Sequence, residues 1–252
     1  MKRALKIVAL LAGFALVFAI GWAWPILVRL PLVVGQDAIT DAASAQVEVS
    51  VEDAGGRTIV ARPSAGVAER DVLVILYPGG LVRPQAYEWL ARTLAADGCL
   101  TVIPEFSFDL AVTDSGRAGA LVERYGEGRR VVLAGHSLGG AMAAQYAADH
   151  AAQLAGLVLL AAYPGDSADL SASGLPVLSL TGEHDQVINA AAQEAAWARL
   201  PADTARVTIA GGVHSFFGRY GPQNGDGVPT VSRATAEAQI SQAIEGFLGE
   251  LG

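Results

Sequence analysis

Cysteine is almost missing from this 252-residue chain. Cys99 stands alone, so neither an internal disulfide nor a multi-cysteine metal site can form. Histidine is scarce as well, four residues with no H-x-x-x-H spacing, which leaves metal chemistry little support. Positive charge is thin: four of the 17 basic residues (Lys2, Arg3, Lys6 and Arg29) precede the first acid, Asp37, so that beyond Gly35 13 basic residues face 25 acidic ones. A surface of that sign repels phosphate backbones and anionic headgroups, which argues against a nucleic-acid partner. Charge is also low overall, 17% against 52% hydrophobic residues, the reverse of a disordered composition. The length suits one compact α/β unit that needs no covalent staples.

What the chain has at its start is a long uncharged run. Residues 7–28 carry no charge and follow the basic cluster Lys2, Arg3 and Lys6. At 1.5 Å per helical residue they span about 33 Å, against roughly 30 Å for a bilayer core. Trp22 and Trp24 stand near the far end, and Pro25 can kink the last turn. The expectation is an N-terminal membrane anchor or signal segment over 1–28, a single-pass span with its basic flank cytoplasmic and the remainder extracytoplasmic. The other reading is a cleaved signal peptide, with 7–20 as its apolar stretch and Gly21-Trp22-Ala23 as a poor cleavage site. Residues 29–45 read as a tether, and 46–252 as the folded domain.

From Val47 onward the pattern changes. Val47, Val49 and Val51 alternate with polar residues, Asp53-Ala54-Gly55-Gly56 turns the chain, and 58–61 can return as an antiparallel edge hairpin. Short apolar runs follow at 72–77, 100–103, 131–134, 157–162, 177–180 and 207–210. Helical stretches separate most of them, at 85–96, 115–125, 138–150 and 190–200, and a last one spans 232–248. Near-continuous apolar strands alternating with helices predict a mostly parallel, doubly wound sheet whose ligands gather at the carboxyl ends of the strands.

The residues that carry chemistry begin where one buried strand ends, in Gly135-His136-Ser137-Leu138-Gly139. A strand turning this sharply into a helix forces its central residue into a strained conformation, and glycines two before and two after keep the backbones apart. Ser137 then stands exposed at the sheet edge, and the free amides of the following helix, Leu138 first, face a developing oxyanion. A serine hydroxyl is a weak nucleophile and needs a base, which in turn needs an orienting acid.

Strand, G-x-S-x-G and helix in this order resemble the α/β-hydrolase superfamily, and the likeness runs over about 47–248. The compact, cap-less dienelactone-hydrolase-like and carboxylesterase-like branch is the nearest in character, although dienelactone hydrolases proper carry cysteine where this chain has Ser137. The resemblance implies the chain order serine, acid, histidine. Thr181-Gly182-Glu183-His184-Asp185 resembles the family's acid loop and Gly211-Gly212-Val213-His214 its histidine loop, which nominates Asp185 and His214. Glu183, Asp166 and Asp169 remain alternatives for the acid. A second oxyanion donor is implied after the strand at 72–77, in Pro78-Gly79-Gly80-Leu81, with the Gly80 amide favoured and Leu81 second. His136 and His184 read as supporting or surface residues, and Cys99 as a small buried hydrophobe.

Only 12 residues, 164–175, precede the acid strand, too few for a helical cap, so an open mouth is expected. The 17-residue loop 215–231 carries Phe216, Phe217 and Tyr220, of which Phe217 and Tyr220 are candidates for the substrate pocket. The function expected is hydrolysis of a small-molecule carboxylic ester through an acyl-enzyme, with no cofactor and no metal. Thioesters, lactones and amides share the same tetrahedral chemistry and stay open, as does a catalytically silent, membrane-tethered binding module on the same scaffold. Haloalkane dehalogenation is disfavoured because its elbow uses an acid.

Overall fold

A computed structural model describes residues 2–27 and 36–251, and the chain divides into two units, 1–33 and 34–252. The first is the helix α1 (Lys2–Leu27), whose described apolar side chains, Leu11, Phe14 and Phe18 among them, are exposed. Among the described residues no helix is long and apolar enough to cross a membrane, so the single-pass span expected here is not borne out. The side chains of Trp22, Trp24 and Pro25, and all of 28–35 including Arg29, lie outside the described residues.

The second unit starts earlier than the sequence suggests. A 3-10 turn (Gln36–Ala38) and the short helix α2 (Ala42–Ala45) occupy part of the stretch expected as tether. Asp41 caps α2 by accepting from the Ser44 amide at 2.8 Å, and Ala38 and Ser44 are buried. Arg92 donates to the carbonyls of Ser44 and Val47, both at 3.2 Å, and this fastens the segment to the domain. Residues 36–45 are therefore part of the fold.

Eight strands follow: β1 (Glu48–Asp53), β2 (Arg57–Arg62), β3 (Val72–Tyr77), β4 (Leu100–Pro104), β5 (Arg130–His136), β6 (Gly156–Leu160), β7 (Val177–Gly182) and β8 (Ala205–Ile209). They form one sheet in the order β1-β2-β4-β3-β5-β6-β7-β8. The β1–β2 and β2–β4 pairs are antiparallel and the rest are parallel, as the hairpin and the apolar runs predict. Interleaved are α3 (Glu88–Ala96), α4 (Arg117–Tyr125), α5 (Leu138–His150), α6 (Ala190–Ala196) and the closing α7 (Arg233–Glu250). Two predicted helices are shorter than expected: a 3-10 turn over Pro84–Tyr87 precedes α3, and another over Trp197–Arg199 follows α6.

Both faces of the sheet are covered. In β3, Val72, Val74 and Leu76 pack with Trp89, Leu90 and Leu94 of α3 and Ile240 and Ile244 of α7. The alternate residues Leu73, Ile75 and Tyr77 pack on the other side with Leu121 of α4 and Ala143 and Ala147 of α5. Side chains in a strand point alternately to opposite faces, so a strand buried on both must be apolar throughout, and β3 is. Residues 163–176 carry neither helix nor strand, so among the described residues this stretch forms no helical cap.

Candidate active site

Ser137 ends β5 with φ +51° and ψ −122°, a conformation rare outside glycine and costing about 1–3 kcal/mol. The surroundings hold it there. Its amide donates to the Leu160 carbonyl at 3.0 Å, and its own carbonyl accepts from Ala141, the first bond of α5, at 3.0 Å. A Cβ on Gly135 would sit 2.6 Å from the Gly139 backbone, and one on Gly139 would overlap the Pro78 carbonyl, so the elbow closes only with glycine at both positions. Ser137 itself is half-buried.

Asp185 follows β7 and His214 follows β8, in a 3-10 turn over His214–Phe217. The two side chains meet: His214 Nδ1 lies 2.8 Å from Asp185 Oδ2, with 1% and 4% of their side chains exposed. The other carboxylate oxygen, Oδ1, accepts from the amides of Val187 at 2.9 Å and Ile188 at 3.0 Å. Asp185 is thus oriented by its own loop and presents one free oxygen to the imidazole.

The other acids are spent elsewhere. Glu183 accepts from the Gly211 amide at 2.7 Å, which ties the acid loop to the histidine loop. Asp166 is fully exposed and lies 3.3 Å from Arg199, and Asp169 accepts from the Ser171 amide. His184 Nε2 stands 3.4 Å from the Thr230 hydroxyl.

After β3, Gly80 lies against the elbow: a Cβ there would be 3.1 Å from Leu138 Cδ2. The Leu81 amide already donates to the Asp109 carbonyl at 2.8 Å, which leaves Gly80 as the candidate donor of that loop. Leu138, first residue of α5, has an amide with no partner inside the helix and is the second candidate.

His136 is fully buried and stacks beside the site, its ring centroid 4.6 Å from His214 and 5.8 Å from Phe217. Burial first, and the neighbouring His214 second, push its pKa well below the ordinary 6.5, so it is neutral. Phe217, expected to border the pocket, is 1% exposed and belongs to the core under His136, because the 3-10 turn directs it inward. Tyr220 is half-buried, with its ring 6.0 Å from His136 and its hydroxyl donating to Gln223 at 2.9 Å. Cys99 is buried, which raises its thiol to about 11 and leaves it unreactive.

Three supporting residues escape a sequence reading. Asp226 accepts from the amides of His214 at 3.1 Å and Ser215 at 2.9 Å, fixing the histidine loop from behind. Arg233 donates to the carbonyls of Ser215, Gly218 and Tyr220 in the same loop. Tyr87 bonds to both Gly79 and His136. For Asp226 the only signal is Gly225-Asp226-Gly227 in a long loop; for the other two there is none, since their contacts lie outside any helix or strand period. Among the described residues, no three His, Cys, Asp or Glu side chains group to hold a metal ion.

No curated protein sequence matches the chain. Solved structures do. A candidate lipase of Acinetobacter baumannii AYE superposes with a TM-score of 0.63 at 13% identity, over 89% of this chain and 98% of the other. A bacterial membrane phospholipase A, described as a virulence factor, gives 0.60 at 17% identity over 100% and 99%. A hydrolase described as CIB-like, from Thermoplasma acidophilum, gives 0.58 at 14% over 80% and 97%. Identities this low establish a common fold. The alpha/beta hydrolase family model matches residues 73–238, from β3 through the acid and histidine loops into α7, and the chain belongs to that family.

Proposed function

We propose that this hydrolase cleaves carboxylic esters through an acyl-enzyme formed on Ser137. The observation that carries the reading is the buried contact of His214 Nδ1 with Asp185 Oδ2 at 2.8 Å, beside an elbow whose serine is held at φ +51°. In this mechanism Asp185 keeps the proton of His214 on Nδ1, so that Nε2 is the basic nitrogen. Nε2 takes the Ser137 proton as Oγ attacks the ester carbonyl, and the amides of Gly80 and Leu138 receive the negative charge of the tetrahedral intermediate. The imidazolium then protonates the departing alcohol. Water, deprotonated by the same nitrogen, attacks the acyl-enzyme and releases the acid.

Among the described residues the 163–176 stretch forms no helical cap, which suits substrates that present a carbonyl at a surface. The neighbours described as a lipase and a phospholipase A favour acyl esters as the substrate class. Tyr220 is the side chain of the 215–231 loop retained as a border of the acyl or alcohol pocket. Residues 1–28 act apart from the hydrolase unit in this proposal, as a targeting or membrane-associating segment that carries the unit out of the cytoplasm. Cell fractionation with N-terminal sequencing of the mature chain tests that part.

A fluorophosphonate probe tests the chemistry. Wild type labels and Ser137→Ala does not; absence of label on both refutes the reading. A panel of nitrophenyl esters of rising acyl length then ranks the substrates, and a thioester and an anilide in the same panel separate ester cleavage from the related reactions.

A further inference from the structure

One buried polar pair has no part in the proton transfers above. Tyr87 is fully buried, and its Oη lies 2.9 Å from the Gly79 amide and 2.7 Å from His136 Nδ1. The amide can only donate, so the phenol oxygen accepts there, and its single proton is available to Nδ1 of the neutral imidazole. With the phenol donating to the ring, Nδ1 accepts and Nε2 carries the hydrogen, an assignment that gives the phenol proton a partner. Packing alone does not call for this arrangement, since phenylalanine and an aliphatic side chain would fill the same space without two polar groups to desolvate.

The positions it joins are informative. Gly79 immediately precedes Gly80, and His136 precedes Ser137 and Leu138, so the chain Gly79–Tyr87–His136 bridges the two loops that supply the oxyanion donors. The bridge is tight: a Cβ on Gly79 would stand 2.6 Å from His136 Nδ1 and 2.9 Å from Tyr87 Oη. On its other side the His136 ring rests 4.6 Å from the ring of His214.

We propose that Tyr87 and His136 are positioning residues that set the spacing between the Gly80 and Leu138 amides and give the His214 ring its seat. This rests on the serine-hydrolase reading. Removing one oxyanion donor outright costs about 100- to 1,000-fold in kcat, and loosening the spacing costs part of that.

The test is Tyr87→Phe, which deletes one oxygen and keeps the ring. Rates on a nitrophenyl ester are divided by the number of sites titrated with a fluorophosphonate, so that misfolded protein is not counted. The expected result is a fall in kcat of about 10- to 100-fold with KM within about threefold, and an equal fall in affinity for an alkyl trifluoromethyl ketone, which forms a tetrahedral adduct. His136→Leu reproduces the loss. His136→Asn, which returns an acceptor near Nδ1, recovers most of it, and Tyr87→Phe with His136→Leu is no worse than either alone. A per-site kcat of Tyr87→Phe within twofold of wild type, or a change confined to KM, overturns the clamp while leaving the serine-hydrolase reading intact. An inactive, unlabelled wild type overturns both.

Discussion

Replacing Asp185 by asparagine changes one atom at the centre of the site, and the geometry says which way the new amide must turn. The oxygen Oδ1 accepts from the amides of Val187 and Ile188 at 2.9 and 3.0 Å, bonds an NH2 group cannot replace. The asparagine oxygen therefore stays on that side and its NH2 takes the place of Oδ2, 2.8 Å from His214 Nδ1. A donor now faces the ring, so Nδ1 must accept and the hydrogen moves to Nε2. The nitrogen that receives the Ser137 proton in the proposed mechanism is then already protonated. The wrong tautomer costs about 10,000-fold in kcat in a serine protease with a Ser-His-Asp triad, about 5.4 kcal/mol at 1.36 kcal/mol per factor of ten. With the loop bonds kept, stability should change far less than activity. Steady-state hydrolysis of a nitrophenyl ester, normalised to fluorophosphonate-reactive sites and paired with thermal melts, measures both. If Asp185→Asn retained more than a tenth of wild-type kcat while Ser137→Ala was inactive, the assignment of Asp185 as the orienting acid would be wrong.

Glu183→Gln removes a charge but keeps an oxygen that can accept from the Gly211 amide, so kcat should fall less than tenfold and stability by about 1 kcal/mol or less in urea unfolding; a loss of activity like that of Asp185→Asn would reverse their roles. His136 binds its proton less tightly when folded than when unfolded, because burial lowers its pKa. Its contribution to stability is therefore present above pH 6.5 and is lost as the pH falls below that value, at up to about 1.4 kcal/mol per pH unit. Urea unfolding at pH 7.5 and 5.5 should show this extra loss in wild type and not in His136→Asn. Gly139→Ala forces a methyl into the Pro78 carbonyl, and expression in folded form or activity should collapse together; a folded, active variant would show that the elbow is not closed as described. Ile75→Ala, at a fully buried position of the central strand, should cost about 2–5 kcal/mol of stability by the same unfolding assay.

Much of this protein is written in contiguous residues. The apolar runs of β3 and β5 and the alternation of β1 identify strands because the two-residue period is local. The elbow is legible because Gly135, Ser137 and Gly139 satisfy one tight turn within five positions. The resemblance to the family nominated Ser137, Asp185 and His214 in that order, and the Gly80 amide after β3. Tertiary structure decided what depends on which remote groups meet. Asp185 rather than Glu183 faces His214 because the acid loop aims one carboxylate at the imidazole and the other at Gly211, and a sequence records no aim. Phe217 entered the core, and His136 was buried against Tyr87, because neighbours many tens of residues away close around them. Residues 36–45 looked like a tether because their burial comes from Arg92 and α3, contacts across more than forty positions that no local pattern encodes. Local sequence specifies which conformations a segment can adopt; the free energy of packing distant segments selects which polar atoms are left facing one another.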